Sequence, residues 1–152
     1  MSQTLPQIES LIRHRGRMLL IDRLLEASAT HAVGEVTINE QSSFFRKGCG
    51  VPAYVGLEYM AQTVAAFDGA LRNISGEEPA IGFLLGSRRY EATQSYFPAG
   101  ATLTIHVDMV FSEGGMASFE CLIKQGDETI VTAPLNVYRP ESGEFTLPEG
   151  VT

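Results

Sequence analysis

Across residues 51–71, VPAYVGLEYMAQTVAAFDGAL, polar positions almost disappear. Ala, Val, Leu, Met, Tyr and Phe take nearly every place, so a helix built from this stretch is apolar on nearly every side and belongs in the middle of a domain. Before it, residues 6–13 carry Ile8, Leu11 and Ile12 at the spacing of a short amphipathic turn. MLLIDRLLEAS reads as a first strand and HAVGEVTI as a second, with Gly34 marking a bulge or a close approach. QSSFFRKGCG is a loop, and Pro52 suits the first turn of the long helix. Beyond Gly76 the character changes. AIGFLLGSRRYEA, ATLTIHVDMVF, SFECLIK and TIVTAPLNVY are strand-like, and FPAG, SEGG and KQGDE separate them as turns. In ATLTIHVDMVF, Leu103, Ile105, Val107, Met109 and Phe111 alternate with Thr104, His106 and Asp108. Two strands, one apolar helix and four hairpin-linked strands make an α+β domain: a curved antiparallel sheet of five or six strands wrapped around a central helix.

Length and charge narrow the picture. With 152 residues the chain is expected to form one domain, the polar stretch 141–152 being a loose tail. A net charge of −7 argues against general nucleic-acid binding. The apolar run approaches membrane-spanning length, but Glu58, Gln62, Asp68 and two glycines interrupt it, so a buried soluble helix is the better reading and no membrane insertion is expected. Two cysteines, Cys49 and Cys121, make no disulfide framework, and with no secretory signal a cytoplasmic location follows. No metal-ligand spacing, phosphate loop or dinucleotide fingerprint appears, so no cofactor and no metal are expected.

HRGRMLLIDRLLE, VTINE, FF, PAYVGLEYMAQ and GFLLGSRRYEA…FPAGATLTIHVDMV resemble, in that order, the 3-hydroxyacyl-acyl-carrier-protein dehydratases. The resemblance spans roughly residues 10–138 and implies the hotdog fold, in which subunits pair and active sites lie at their interface. It places Glu58 at the family's acidic catalytic position. It fails at the second catalytic residue. The family loop F-F-x-G-H-F-P brings a histidine that abstracts the substrate proton, whereas this chain reads FFRKGCGVP, about four residues shorter, with no histidine between His31 and His106. The chain thus resembles a divergent branch of dehydratase-like proteins, of the kind found as a second dehydratase-like component in aryl polyene-type pathways.

Dehydration of a 3-hydroxyacyl thioester removes an α-proton and expels hydroxide from the β-carbon. The first step needs a base and a donor to the thioester carbonyl, the second a general acid. Glu58, a carboxyl in an apolar helix, fits the acid, since a carboxyl kept neutral by burial can donate a proton, or serves as acid and base combined in a slower syn elimination. The helix start, with Tyr54 and Gly56, offers backbone N–H groups to the carbonyl oxygen and is assigned with Gln62 to substrate binding; Gln62, four residues on from Glu58, can orient it. Candidates to replace the base are His14, which in the family's matching segment is not the catalytic histidine, and Cys49, which falls where the family histidine stands, with Arg46 and Lys47 beside it. His31 and His106 read as solvated.

The resemblance implies an acyl carrier protein as partner, and a homodimer, a higher homo-oligomer, or a hetero-oligomer with another dehydratase. Carrier proteins are acidic, as is this chain, so docking requires a local basic patch: Arg88 and Arg89, or Arg46 and Lys47. If Arg88 and Arg89 lie in a strand they point to opposite faces. Two other functions fit the same fold: a non-catalytic subunit that binds an acyl chain or pairs with an active dehydratase, and an acyl thioesterase.

Overall fold

The computed structural model describes residues 5–74 and 83–138; the expected tail at 141–152 lies outside them. A single helical turn, α1 (Ile8–Leu11), is followed by strands β1 (Arg23–Ala27) and β2 (His31–Thr37). A loop then leads to the short β3 (Val51–Pro52), a 3-10 turn over Ala53–Val55 and the long helix α2 (Gly56–Ile74). After it come β4 (Phe83–Gly86), β5 (Glu91–Ala92), β6 (Tyr96–Phe97), β7 (Thr102–Glu113), β8 (Met116–Gln125) and β9 (Glu128–Tyr138). The main sheet is antiparallel in the order β1-β2-β7-β8-β9-β4, with β5 also paired to β9; β3 and β6 form a separate two-stranded pair. This is the expected sheet laid against one long helix, with β3, β5 and β6 added as two-residue pairings too short to register as alternation.

The alternation in β7 holds where it is paired on both sides. Leu103, Ile105 and Val107 are buried toward α2, and Thr104, His106 and Asp108 lie on the opposite face. It breaks at a bulge between Met109 and Phe111, after which Val110 and Phe111 are both exposed rather than Phe111 continuing the buried row. The first strand is also shorter than MLLIDRLLEAS. Its apolar start is instead an irregular segment, because the amides of Leu20 and Ile21 bond to a side chain of α2.

Two glycines set how closely α2 packs. A Cβ at Gly34 of β2 would lie 2.7 Å from Thr63 Oγ1, which makes Gly34 a close approach and puts the bulge in β1 opposite it. A Cβ at Gly69 would collide with the Leu11 carbonyl at the end of α1.

Among the described residues the helix is covered mainly on one side. Tyr59, Met60, Thr63, Val64, Ala66, Phe67 and Ala70 are buried against the sheet and α1. Tyr54 and Glu58 are exposed, and Leu57, Ala61, Ala65 and Asp68 are half-buried, along the opposite stripe. The sheet is wrapped around the central helix as expected, and Tyr54 and Glu58 are left exposed on the stripe away from it. No helix among the described residues is long and apolar enough to cross a membrane.

Candidate active site

The start of α2 is locked from three directions. Tyr90 Oη donates to the Ala53 carbonyl at 2.5 Å, and Ala53 N donates to Ser95 O at 2.9 Å. Gly56 lies so close to the Tyr90 hydroxyl, Ile123 and Phe97 that no side chain fits there. Burial, then the nearby Tyr59, pushes the Tyr90 phenol well above its ordinary pKa, so it stays a donor. Gly56 is thus fixed by packing, and its N–H donates to the Ala53 and Tyr54 carbonyls, which corrects its assignment as a free donor to substrate; the 3-10 turn leaves Tyr54 63% exposed.

Glu58 sits in the first turn of α2. It is exposed. The apolar enclosure expected around it is not supplied by its own chain, because Glu58 faces out along the uncovered stripe.

Gln62 does not reach it. Gln62 is 2% exposed, its Oε1 accepts from Leu20 N at 2.8 Å and Ile21 N at 3.4 Å, and its Nε2 donates to Met18 O at 2.6 Å. The amide is committed to the N-terminal segment, which corrects its assignment as an orienting or substrate-binding group beside Glu58.

The loop before the helix ends in a tight turn. Arg46 N donates to Gly50 O at 2.8 Å, while Cys49 N and Gly50 N both donate to Arg46 O at 2.9 Å. Gly48 and Gly50 take φ of +79° and +116°, and Gly50 rests on the Phe97 backbone, where a Cβ would clash. Cys49 is exposed at this turn. From it Arg46 Nη2 donates to Tyr54 Oη at 3.1 Å. The hydroxyl of Tyr96, then the charges Tyr54 and Tyr96 can carry, hold the guanidinium above its ordinary pKa. The full hydrogen-bond geometry is met only by Tyr54, so that contact orients the side chain. The sequence offered no signal for the Arg46–Tyr54 pair, since it depends on how the shortened loop closes.

The histidines are scattered. His14 is half-buried in the N-terminal segment, its Nδ1 buried without a hydrogen-bond partner. His31 Nδ1 lies 2.7 Å from Asp108 Oδ1 and its ring centroid 6.1 Å from that of His106. Both belong to the sheet face turned away from α2, so they cannot serve a site at Glu58 in the same chain. Burial, then Lys124 and His31, lower the pKa of His106, whose Nε2 lies 3.2 Å from Thr104 Oγ1. Arg88 and Arg89 lie in the bend after β4 rather than in a strand, so the opposite-face argument does not apply; both are exposed, and Arg89 pairs with Glu91 at 2.7 Å.

A cleft of about 250 Å³ opens elsewhere, between the N-terminal segment, the 39–43 loop and Tyr59. Neither Glu58 nor the 46–50 turn lines it. Chemically, the helix start offers a carboxyl, an oriented cation and a phenol, and no histidine.

No curated protein sequence matches the chain. Among solved structures it is similar to a chain of the dehydratase heterocomplex ApeI:P from Xenorhabdus doucetiae, with 24% identity, a TM-score of 0.85, and 91% of this chain and 93% of that one covered. It is also similar to a hypothetical thioesterase with coenzyme A from Streptococcus pneumoniae (12% identity, TM-score 0.61, 77% and 84% covered). A third similar structure is the conserved protein PA5202 from Pseudomonas aeruginosa (11% identity, TM-score 0.66, 88% and 99% covered). At these identities the structures establish the shared fold. The model of the ApeP-like family, described as ApeP dehydratase, matches residues 6–147, nearly the whole chain. This protein is a member of the ApeP-like dehydratase family.

Proposed function

We propose that this dehydratase acts on 3-hydroxyacyl thioesters of acyl carrier protein, in fatty-acid or polyene-type synthesis in the cytoplasm, as the acid-bearing half of a site shared between two subunits. The observation that carries this reading is the position of Glu58. It is exposed on an uncovered, largely apolar helix face, and no histidine of the chain stands on that face. A carboxyl left in water is a poor acid for expelling hydroxide. Covering the face with a second subunit removes Glu58 from water and favours its neutral, proton-donating form.

Two copies of this chain would bring two carboxyls and no loop histidine. The ApeI:P heterocomplex supplies a precedent for pairing unlike dehydratases, and a partner that retains the histidine completes the chemistry: its base takes the α-proton and Glu58 protonates the departing hydroxyl. Lys47 and Arg88 are the proposed contacts for the acidic carrier, Arg88 making no ion pair with a described residue, with Arg89 beside it and Arg46 on the same chain.

The test is dehydration of a 3-hydroxyacyl carrier protein by the complex with a histidine-bearing dehydratase, followed by mass spectrometry. Glu58→Gln should slow water loss about 10²–10⁴-fold. An unchanged rate would assign the chain to a non-catalytic partner role, and release of free acid would mark a thioesterase.

A further inference from the structure

Arg46 is a cation that is oriented without being neutralised. Arg23, Arg72 and Arg89 each meet a carboxylate, and Arg15 is consumed by the carbonyls of Glu9, Ile12 and His14. Arg46 has no carboxylate partner among the described residues and is held instead by a phenol. The turn beneath it is closed by three backbone hydrogen bonds and pinned against β6, so the guanidinium starts from a rigid base.

The phenol it holds is placed for chemistry. Tyr54 lies in the 3-10 turn that leads into α2, four residues before Glu58, and both are exposed. Its oxygen accepts from Arg46, which leaves its own proton free to donate outward. A hydroxyl that accepts from a cation is a stronger donor in turn. An arginine cannot act as a base, since it does not lose its proton in proteins. The shortened loop therefore brings positive charge, not proton abstraction, to the place where the resemblance led one to look for a histidine.

We propose that Tyr54, oriented and polarised by Arg46, donates the hydrogen bond that stabilises the thioester oxygen during dehydration. This rests on the dehydratase reading. The partner's base breaks the α C–H bond and keeps the proton. The electron pair moves into the carbonyl, and the oxygen gains negative charge against the Tyr54 O–H. The carbonyl then re-forms, the β C–O bond breaks, and the hydroxyl leaves as water with the proton from Glu58. Tyr54 is the catalytic donor and Arg46 its positioning residue.

Two readouts test this in the assembled complex: turnover, and exchange of the substrate α-proton in deuterated water. Tyr54→Phe should lower kcat about 10²–10³-fold with little change in KM, as loss of one oxyanion donor does, and should slow exchange by the same factor. Arg46→Gln should slow both less, and Arg46→Lys should recover part of the loss. Glu58→Gln should slow water loss while sparing exchange. Wild-type kcat and exchange in Tyr54→Phe, beside normal wild-type dehydration, overturns this assignment alone. Absence of both reactions in the wild-type complex overturns the dehydratase reading as well.

Discussion

Gln62 ties α2 by side-chain hydrogen bonds to residues more than forty positions earlier. Its amide answers two donors and one acceptor that the irregular 18–21 segment has no strand to satisfy. Replacing it with Leu keeps the volume but takes the partner from the Leu20 and Ile21 N–H groups and the Met18 carbonyl, of which the Ile21 bond is buried, and an unsatisfied buried polar group costs about 1–3 kcal/mol. Gln62→Leu is therefore expected to lower the urea midpoint clearly, and an unchanged midpoint would show that water takes over these bonds. The sequence placed Gln62 on a helix turn beside Glu58 but held no information on which way its amide points. That choice was made by a segment forty residues away.

At the scale of elements, the crossing of α1 on α2 depends on Gly69. In an isolated helix Gly→Ala gains about 1 kcal/mol. Here the added methyl meets the Leu11 carbonyl, a backbone atom that cannot swing aside. Gly69→Ala should therefore destabilise the chain, overpacking costing about 1–3 kcal/mol, with a lower melting temperature as the readout; a higher one would mean that α1 moves away freely. Helix α2 was legible because its apolar spacing runs for many turns without a breaker, and β7 because it alternates cleanly. The trimmed first strand and the bulge at Val110 were not. Both arise where a backbone group finds a partner outside its own ladder, or where β2 ends and leaves β7 paired on one side.

For the whole molecule, the decisive feature is the half-covered helix. Leu57, Ala61 and Ala65, all apolar, lie half-buried on the stripe between Tyr54 and Asp68, and the two alanines are small enough for a neighbouring subunit to approach closely. Glu at both Ala61 and Ala65 adds two charges that a dry interface would have to bury unpaired, at several kcal/mol. The double variant is expected to remain folded, because both positions are only half-buried in their own chain, yet to lose assembly with a dehydratase partner. Light scattering after size exclusion reads both properties, and assembly that survives the two charges would place the interface elsewhere.

The sequence alone determined the sheet-and-helix architecture and the site of the carboxyl. Apolar periodicity is a local property, and the family motifs around Glu58 are contiguous. It also revealed the loss of the loop histidine, which is a matter of letters. Only the tertiary structure decided that Glu58 faces outward, that Gln62 serves the N-terminal segment and that Arg46 holds Tyr54. These are orientations of side chains fixed by contacts between distant parts of the chain. An all-apolar helix says that it must be covered; which atoms cover it, and whether they belong to the same molecule, is set by packing.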